Sequence, residues 1–326
     1  MSDELIGKIR DWLNHQGFSL EMRTARAFRE AGFDVSQFEH YIDQETRGVR
    51  QIDVIASFSE NIDDTNVQVK LIIECKYIEN LPWVVLITPD NLDKYSFFSR
   101  FLKGNFPSNW KNINTIEGRI IGKVIESLKQ TNESFSTFRI DKAGYTVKQL
   151  NFKDNSSKDY AYEATVQVNK CVESYDEETK NEYQKITVKL DELPPSDPNL
   201  SSYEGNLLDS FPITIAFPFI VVFGHLFEGY LSSSNDLIVN EVNKSVVLVP
   251  YRQLEKQPDA RIVLSPITII TQGHLDEYVK ELKDDIKKLL SQTDAIRDVI
   301  THERSFHTPK SSEINIFGYK EKKREF

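Results

Sequence analysis

The sequence has few of the residues that build metal-bound or disulfide-linked scaffolds. Its 326 residues include two cysteines, Cys75 and Cys171, and six scattered histidines. Neither cysteine has the spacing of a zinc site or of a disulfide framework, and no two histidines form a ligand pair at helical spacing. We therefore expect no zinc chemistry, and Cys75, inside an apolar segment, is expected to be a small buried thiol.

The chain also lacks an apolar run long enough to cross a bilayer, and it begins Met1-Ser2-Asp3-Glu4 without a charged-then-apolar leader. We expect a cytoplasmic protein that does not contact a membrane. Basic residues are in the minority, with a formal net charge of -10. Because non-specific phosphate binding depends on clustered Lys and Arg, this charge argues against a protein that coats nucleic acid. A local basic surface remains compatible with it.

The segment 69–77 has the pattern of a strand that carries two charges on one face. Side chains of a strand alternate between its two faces, so Glu74 and Lys76 lie side by side. The opposite face holds the apolar residues Leu71, Ile73, Cys75 and Tyr77. An acid and an amine are thus predicted as neighbours on one side of one strand.

Asp53 interrupts a short β-branched strand, Ile52 to Ile55. A carboxylate there is costly unless it is paired or binds a metal. The polar segment from Ser57 to Asn66 predicts a hairpin turn that would bring Asp53 beside Glu74 on adjacent antiparallel strands. Two acids and a main-chain carbonyl would suit Mg²⁺, which prefers oxygen ligands.

Such a metal would polarise a phosphoryl oxygen and help to generate hydroxide from water. Lys76 would then position the attacking water or offset the charge that develops in the transition state, and the sequence does not separate these two roles.

A third acid, Glu21, lies at the edge of the apolar stripe of a predicted helix, Ser19 to Ala31. From that position it could reach a site at the margin of the sheet. The alternative is a structural role, because an acid in the first turn after a Ser19 cap is favoured by the helix dipole.

The helix acid Glu21, the strand Ile52-Asp53-Val54 and the strand Glu74-Cys75-Lys76 together resemble the PD-(D/E)xK, or restriction-endonuclease-like, nuclease superfamily, in particular its stand-alone branch. The resemblance lies in the pattern and in the order of the motifs. It implies an α/β fold with a restriction-endonuclease-like mixed central sheet flanked by helices. It also implies that Asp53 and Glu74 are ligands of Mg²⁺ or Mn²⁺, that Lys76 is the catalytic lysine, and that Glu21 is the accessory acid of the first core helix.

The rest of the chain predicts an insertion and a β-rich C-terminal part. We predict a nuclease-like domain over residues 1–300, with its core in 1–79 and 158–300, an insertion at 80–157, and a charged tail at 301–326. An alternative boundary lies in the proline-rich segment 193–203 and would separate a C-terminal β-rich domain. Further helices are predicted at 3–16, 116–130, 158–179 and 276–290, and further strands at 33–43, 83–88, 145–152, 211–223, 226–230, 246–251 and 261–270.

Polar residues on two of these helices are assigned different roles. The helix at 158–179 has the place of the helix that packs across the sheet in a nuclease core, and Gln167 and Lys170 could face the site from it as accessory residues. The alternative is that they are solvated on the back of the helix. On the helix at 276–290, Asp284 and Asp285 are interpreted as ordinary surface acids.

The sequence therefore predicts a metal-dependent nuclease that hydrolyses phosphodiester bonds, with DNA as the expected substrate. A role in restriction, defence or repair follows only by analogy with the family. The alternative is a catalytically inactive nuclease-like fold that binds nucleic acid or protein, which the acidic charge balance favours. A homodimer is left open.

Overall fold

The fold is built on one mixed sheet. The computed structural model describes residues 2–62, 65–78, 81–88, 136–137, 142–150, 159–191, 213–251 and 263–297. Within these residues ten strands join in a single sheet: β1 Asp34–Ile42, β2 Val49–Ile62, β3 Thr65–Tyr77, β4 Trp83–Thr88, β5 Ala143–Gln149, β6 Ile213–Phe223, β7 Leu226–Leu231, β8 Leu237–Val242, β9 Lys244–Tyr251 and β10 Val263–Thr271.

The strand order is β1-β2-β3-β6-β10-β9-β5-β4-β7-β8. Antiparallel hairpins join β1 to β2 and β2 to β3, whereas β6 runs parallel to both of its neighbours, β3 and β10. Strands β3 and β6 lie side by side in the interior of the sheet, between β2 and β10. The near-continuous apolar sequence of β6 fits that position, because a strand buried on both faces needs no polar alternation, whereas β3 alternates polar and apolar residues over much of its length.

Helices cover both faces of the sheet: α1 Ser2–His15, α2 Phe18–Glu30, α3 Tyr160–Asp191 and α4 Leu275–Ser291. On one face, α2 and α4 pack on a buried cluster that includes Phe28, Leu71 and Leu282. On the other face, α3 packs on a second cluster that includes Ile72 and Val168. The predicted α/β class, a large mixed sheet flanked by helices, is confirmed.

The predicted helices and strands within the described residues are present, and most of their ends shift by a few residues. Helix α3 is the exception, since it extends to Asp191, well beyond the predicted end at 179. The hairpin predicted at Ser57 to Asn66 is present, but its strands extend further into this segment than predicted, because β2 and β3 stay paired from Ser57↔Lys70 to Ile62↔Thr65. Phe58 and Ile62 face the buried cluster, so alternate apolar residues keep this ribbon extended despite its polar composition. Strand β8 had no predicted counterpart.

Strands from the predicted core, from the predicted insertion and from the C-terminal part beyond the alternative boundary all enter this sheet. Strands β4 and β5, from the predicted insertion, pair with β7 and β9, and β6, beyond the alternative boundary, lies beside β3. The predicted helix at 116–130, the segment 193–203 and the tail at 301–326 lie outside the described residues. Among the helices of the described part, none combines the length and the apolar character that crossing a bilayer requires.

Candidate functional site

The candidate site lies where α2 crosses the paired strands β2 and β3, and it starts from an irregularity opposite Asp53. Phe38 on β1 occupies the register position that faces Asp53, between the pairs Gln37↔Val54 and Glu39↔Ile52. Its φ is 59°, a left-handed conformation that is uncommon for a bulky residue. Conformations of this kind cost free energy and persist only where the surrounding structure holds them.

The alternation of β2 changes at the same point. Ile55 packs in the cluster under α3, and Val54 packs in the cluster under α2 and α4. Regular alternation would place Ile52 with Val54, but Ile52 belongs to the α3 cluster. Asp53 therefore occupies a bend of β2 and not a regular strand position.

Asp53 also lies level with Glu74, as predicted. It comes one residue before Val54, which pairs with Ile73 on β3. Its Oδ2 accepts a hydrogen bond of 2.7 Å from the backbone N–H of Cys75. Burial raises the pKa of Asp53, and the Cys75 N–H and the charge of Lys76 partly offset that rise.

Glu74 and Lys76 form an ion pair on one face of β3, also as predicted. Lys76 Nζ lies 2.5 Å from Glu74 Oε1. Glu74 is only 1 % exposed, and burial, followed by the nearby charge of Asp53, raises the pKa of Glu74 to about 8. Burial lowers the pKa of Lys76, but Glu74 and Asp53 together raise it further, so Lys76 stays cationic.

Glu21 reaches the same place from the first turn of α2. It is 8 % exposed, and burial, followed by the charge of Asp53, raises the pKa of Glu21 to about 7 while Lys76 lowers it. The predicted Ser19 cap is wrong: the helix begins after Gly17, which has a φ of 88° and makes no side-chain cap. Thr24 on the next turn accepts a hydrogen bond of 3.5 Å from the Cys75 thiol, which holds α2 against β3.

The four groups thus form a buried and mainly anionic cluster. If all four are ionised, three carboxylates and one ammonium carry a formal charge of -2. Glu21 Oε2 and Glu74 Oε2 are both buried, and neither has a hydrogen-bond partner among the described residues. Buried carboxylate oxygens without partners are expensive unless a cation or a polar ligand approaches them.

The carboxylate oxygens of this cluster are the type of ligand that a hard divalent cation prefers, although the side chains do not converge on one point. In the described part of the chain, no group of three or more His, Cys, Asp or Glu side chains is placed to hold a metal ion. One oxygen of Asp53 is engaged by the Cys75 N–H and one oxygen of Glu74 by Lys76. Each carboxylate keeps a second oxygen, the type of ligand that Mg²⁺ and Mn²⁺ accept.

The two accessory residues on α3 lie elsewhere. The prediction that Lys170 faces the site is wrong, because its Nζ lies 2.9 Å from Asp43 and 2.8 Å from Glu45 in the turn after β1. Gln167 donates a hydrogen bond of 2.9 Å to the carbonyl of Gln51, two residues before Asp53. It supports β2 and makes no hydrogen bond with the four site residues.

Sequence reasoning missed two residues near the cluster. Tyr41 is buried, and burial, followed by Cys171 and then Glu74, raises its pKa. Its hydroxyl donates a hydrogen bond to the carbonyl of Gln167, so Tyr41 ties β1 to α3 beside the site. Phe38 was also missed, and no sequence signal marks its backbone conformation.

Comparisons with protein-family models, with curated proteins and with solved structures found no match.

Proposed function

We propose that the protein is a metal-dependent nuclease of the restriction-endonuclease-like type, with DNA as its substrate. One observation carries this proposal. Glu21, Asp53, Glu74 and Lys76 come from one helix and two strands and converge in a buried cluster, in which two carboxylate oxygens find no hydrogen-bond partner within the described part of the chain. The order of these elements, a helix followed by two antiparallel strands, is the order that the family resemblance implies.

Asp53 and Glu74 would hold Mg²⁺ or Mn²⁺ through the oxygens that remain available to each. When bound, the metal supplies Lewis-acid polarisation of a phosphoryl oxygen and a lower pKa for a coordinated water. The raised pKa values of the carboxylates fit this assignment, because a divalent cation would remove the penalty of holding them ionised in a buried site.

Lys76 supplies the fixed positive charge of the site. Its ammonium is held on the same face as Glu74 and remains cationic, so it can orient the attacking water or offset the negative charge that accumulates on the phosphate. Glu21 has a pKa of about 7 and can exchange a proton near neutral pH, as a group that assists water attack must.

Cleavage of DNA tests the proposal. Purified protein is incubated with plasmid and with linear DNA in Mg²⁺, in Mn²⁺ and in EDTA. We expect cleavage that requires the metal and falls by about 100-fold or more in Asp53→Asn and in Lys76→Met, as for groups that act on the transition state. Lys148→Met, an exposed lysine paired with Asp159, is the matched control and should cleave like the wild type. Equal cleavage by the wild type and both site variants would refute the assignment.

A non-catalytic binding module is the second candidate. The net charge of -10 and the close pairing of Glu74 with Lys76 favour it, because that pair can persist as a structural element. This candidate predicts binding without cleavage in every metal. Folded wild-type protein that retains DNA without cutting it would decide for the module.

A further inference from the structure

Three aromatic side chains form a ladder that ends beside the candidate site. Trp12 on α1, Phe18 at the start of α2 and Phe38 on β1 follow one another with ring centroids 5.8 Å and 6.4 Å apart. Trp12 is 55 % exposed and Phe38 is 39 % exposed. The two ends of the ladder therefore present aromatic surface to solvent.

The ladder lies next to two of the four site residues, Asp53 and Glu21. Phe38 faces Asp53 across the β1–β2 pair. Phe18 and Glu21 are three residues apart on α2, a spacing that makes side chains neighbours on one helix face. The end of the ladder thus adjoins the point at which Glu21 and Asp53 meet.

The conformation of Phe38 needs an explanation beyond stability. A φ of 59° is unfavourable for a bulky side chain, and the ring does not gain full burial in return. Unfavourable backbone conformations are retained mainly where they serve binding or catalysis. Exposed aromatic rings that step toward a nuclease-like site are the arrangement on which unpaired bases stack.

We propose that this ladder binds the unpaired bases of a DNA strand next to the scissile phosphate, so that the substrate is single-stranded DNA or the unpaired end of a duplex. The inference rests on the proposed function and names its substrate class. The outer faces of Trp12 and Phe38 would each take a base, and Phe18 would hold the two rings in place.

Arginines lie on two of the elements that carry the ladder, and a strand with charged phosphates requires such groups. Arg29 on α2 donates a hydrogen bond of 2.9 Å to Gln37, the residue before Phe38. Arg10, two residues before Trp12 on α1, lines a groove between α1 and α2 that also contains Ile6, Ile9 and Met22. Arginines in these places can contact phosphates while the rings contact bases.

Binding, measured apart from cleavage, tests the inference. Fluorescence anisotropy in EDTA and in Ca²⁺ compares a labelled single strand, a duplex of the same sequence, and an abasic strand of the same length. We expect the base-containing strand to bind the wild type most tightly. Trp12→Leu and Phe38→Leu should each weaken that binding by about 5- to 100-fold, leave abasic binding unchanged and leave the salt dependence unchanged. Leu5→Ala, an exposed apolar residue of α1 outside the ladder, is the control and should bind like the wild type.

Three outcomes overturn the inference: variants that bind the single strand as tightly as the wild type, an equal loss on the abasic strand, or tighter binding of the duplex. A fourth outcome would also overturn it: the wild type is a dimer, and Trp12→Leu makes it a monomer without changing the affinity for the single strand. That result would assign this surface to a second copy of the chain.

If metal-dependent cleavage persists while the ladder variants bind DNA like the wild type, only the proposal for the ladder is refuted. If the ladder binds as expected while Asp53→Asn and Lys76→Met leave cleavage unchanged, only the catalytic assignment falls.

Discussion

Replacing Glu21 by glutamine should stabilise the protein at alkaline pH while it weakens catalysis. Burial and the charge of Asp53 raise the pKa of Glu21 from 4.5 to about 7. The folded state therefore binds the proton more tightly than the unfolded state, and stability falls as the pH rises from about 4.5 to about 7. Glutamine keeps the shape of the side chain and cannot ionise.

The size of the effect follows from the shift. A rise from 4.5 to about 7 corresponds to about 3 kcal/mol of stability lost by the wild type above pH 7, at about 1.36 kcal/mol per pH unit. The amide introduced by the substitution would itself remain buried without a full set of partners, which costs about 1 kcal/mol. We therefore expect Glu21→Gln to be more stable than the wild type by about 2 kcal/mol at pH 8, and not more stable at about pH 4.5.

Urea unfolding of both proteins in EDTA at these two pH values measures the difference, with circular dichroism as the signal. Glu60→Gln, an exposed acid on β2, is the control and should follow the wild type at both pH values. Mg²⁺ should then stabilise the wild type at pH 8 more than the variant, because ligand binding adds to folding stability. A variant that is destabilised equally at both pH values would refute the burial penalty assigned to this carboxylate.

Three further substitutions test the contacts around the site and in the fold. Lys76→Met should raise the pKa of Glu74 further above about 8, because it removes the ammonium that pairs with this buried carboxylate, so the variant should lose more stability than the wild type as the pH rises above 8. A second substitution, Glu74→Gln, should remove this additional pH dependence in urea unfolding. Asp43→Ala should cost about 3 kcal/mol, since the buried Asp43 carboxylate accepts hydrogen bonds from two backbone N–H groups and two cationic side chains. Although burial raises the pKa of Asp43, these hydrogen bonds lower it below 3.8, so its contribution is present at neutral pH and should be lost as the pH falls below about 4 in an acid titration of stability. Asp285→Ala should lower the midpoint of thermal unfolding whereas its exposed neighbour Asp284→Ala should not, because Asp285 accepts hydrogen bonds from the backbone and the side chain of Thr137.

The strands that carry the site could be predicted because their signals are local. The alternation in β3 placed Glu74 and Lys76 on one face, and the hairpin order placed Asp53 opposite them. Both follow from the period of two along a strand and from the pairing of consecutive strands. The structure brings Asp53, Glu74 and Lys76 together as the pattern indicated.

Two of the errors have a different origin, because they concern groups whose partners are distant in the sequence. Asp285 was interpreted as a surface acid, yet it is 3 % exposed and binds Thr137, which lies far earlier in the chain. The sequence allows Lys170 either to face the site or to be solvated, yet it pairs with the turn that holds Asp43. A helical periodicity identifies the face of a helix but not the partner that the face meets.

The conformation of Phe38 was not predictable from the sequence, and it connects the candidate metal site with the aromatic ladder. Its sequence context, Gln37-Phe38-Glu39, is that of an ordinary strand, yet the residue has a φ of 59°. At the register position that faces Phe38, β2 bends and brings Asp53 to the Cys75 N–H, while the ring of Phe38 remains exposed beside Phe18. One strained residue therefore adjoins both the acid that would hold the metal and the surface that would hold a base. A Phe38→Leu variant keeps a side chain at the bend, so it separates the two contributions: it should lose affinity for unpaired bases and should retain the metal-dependent cleavage of strands supplied at saturating concentration.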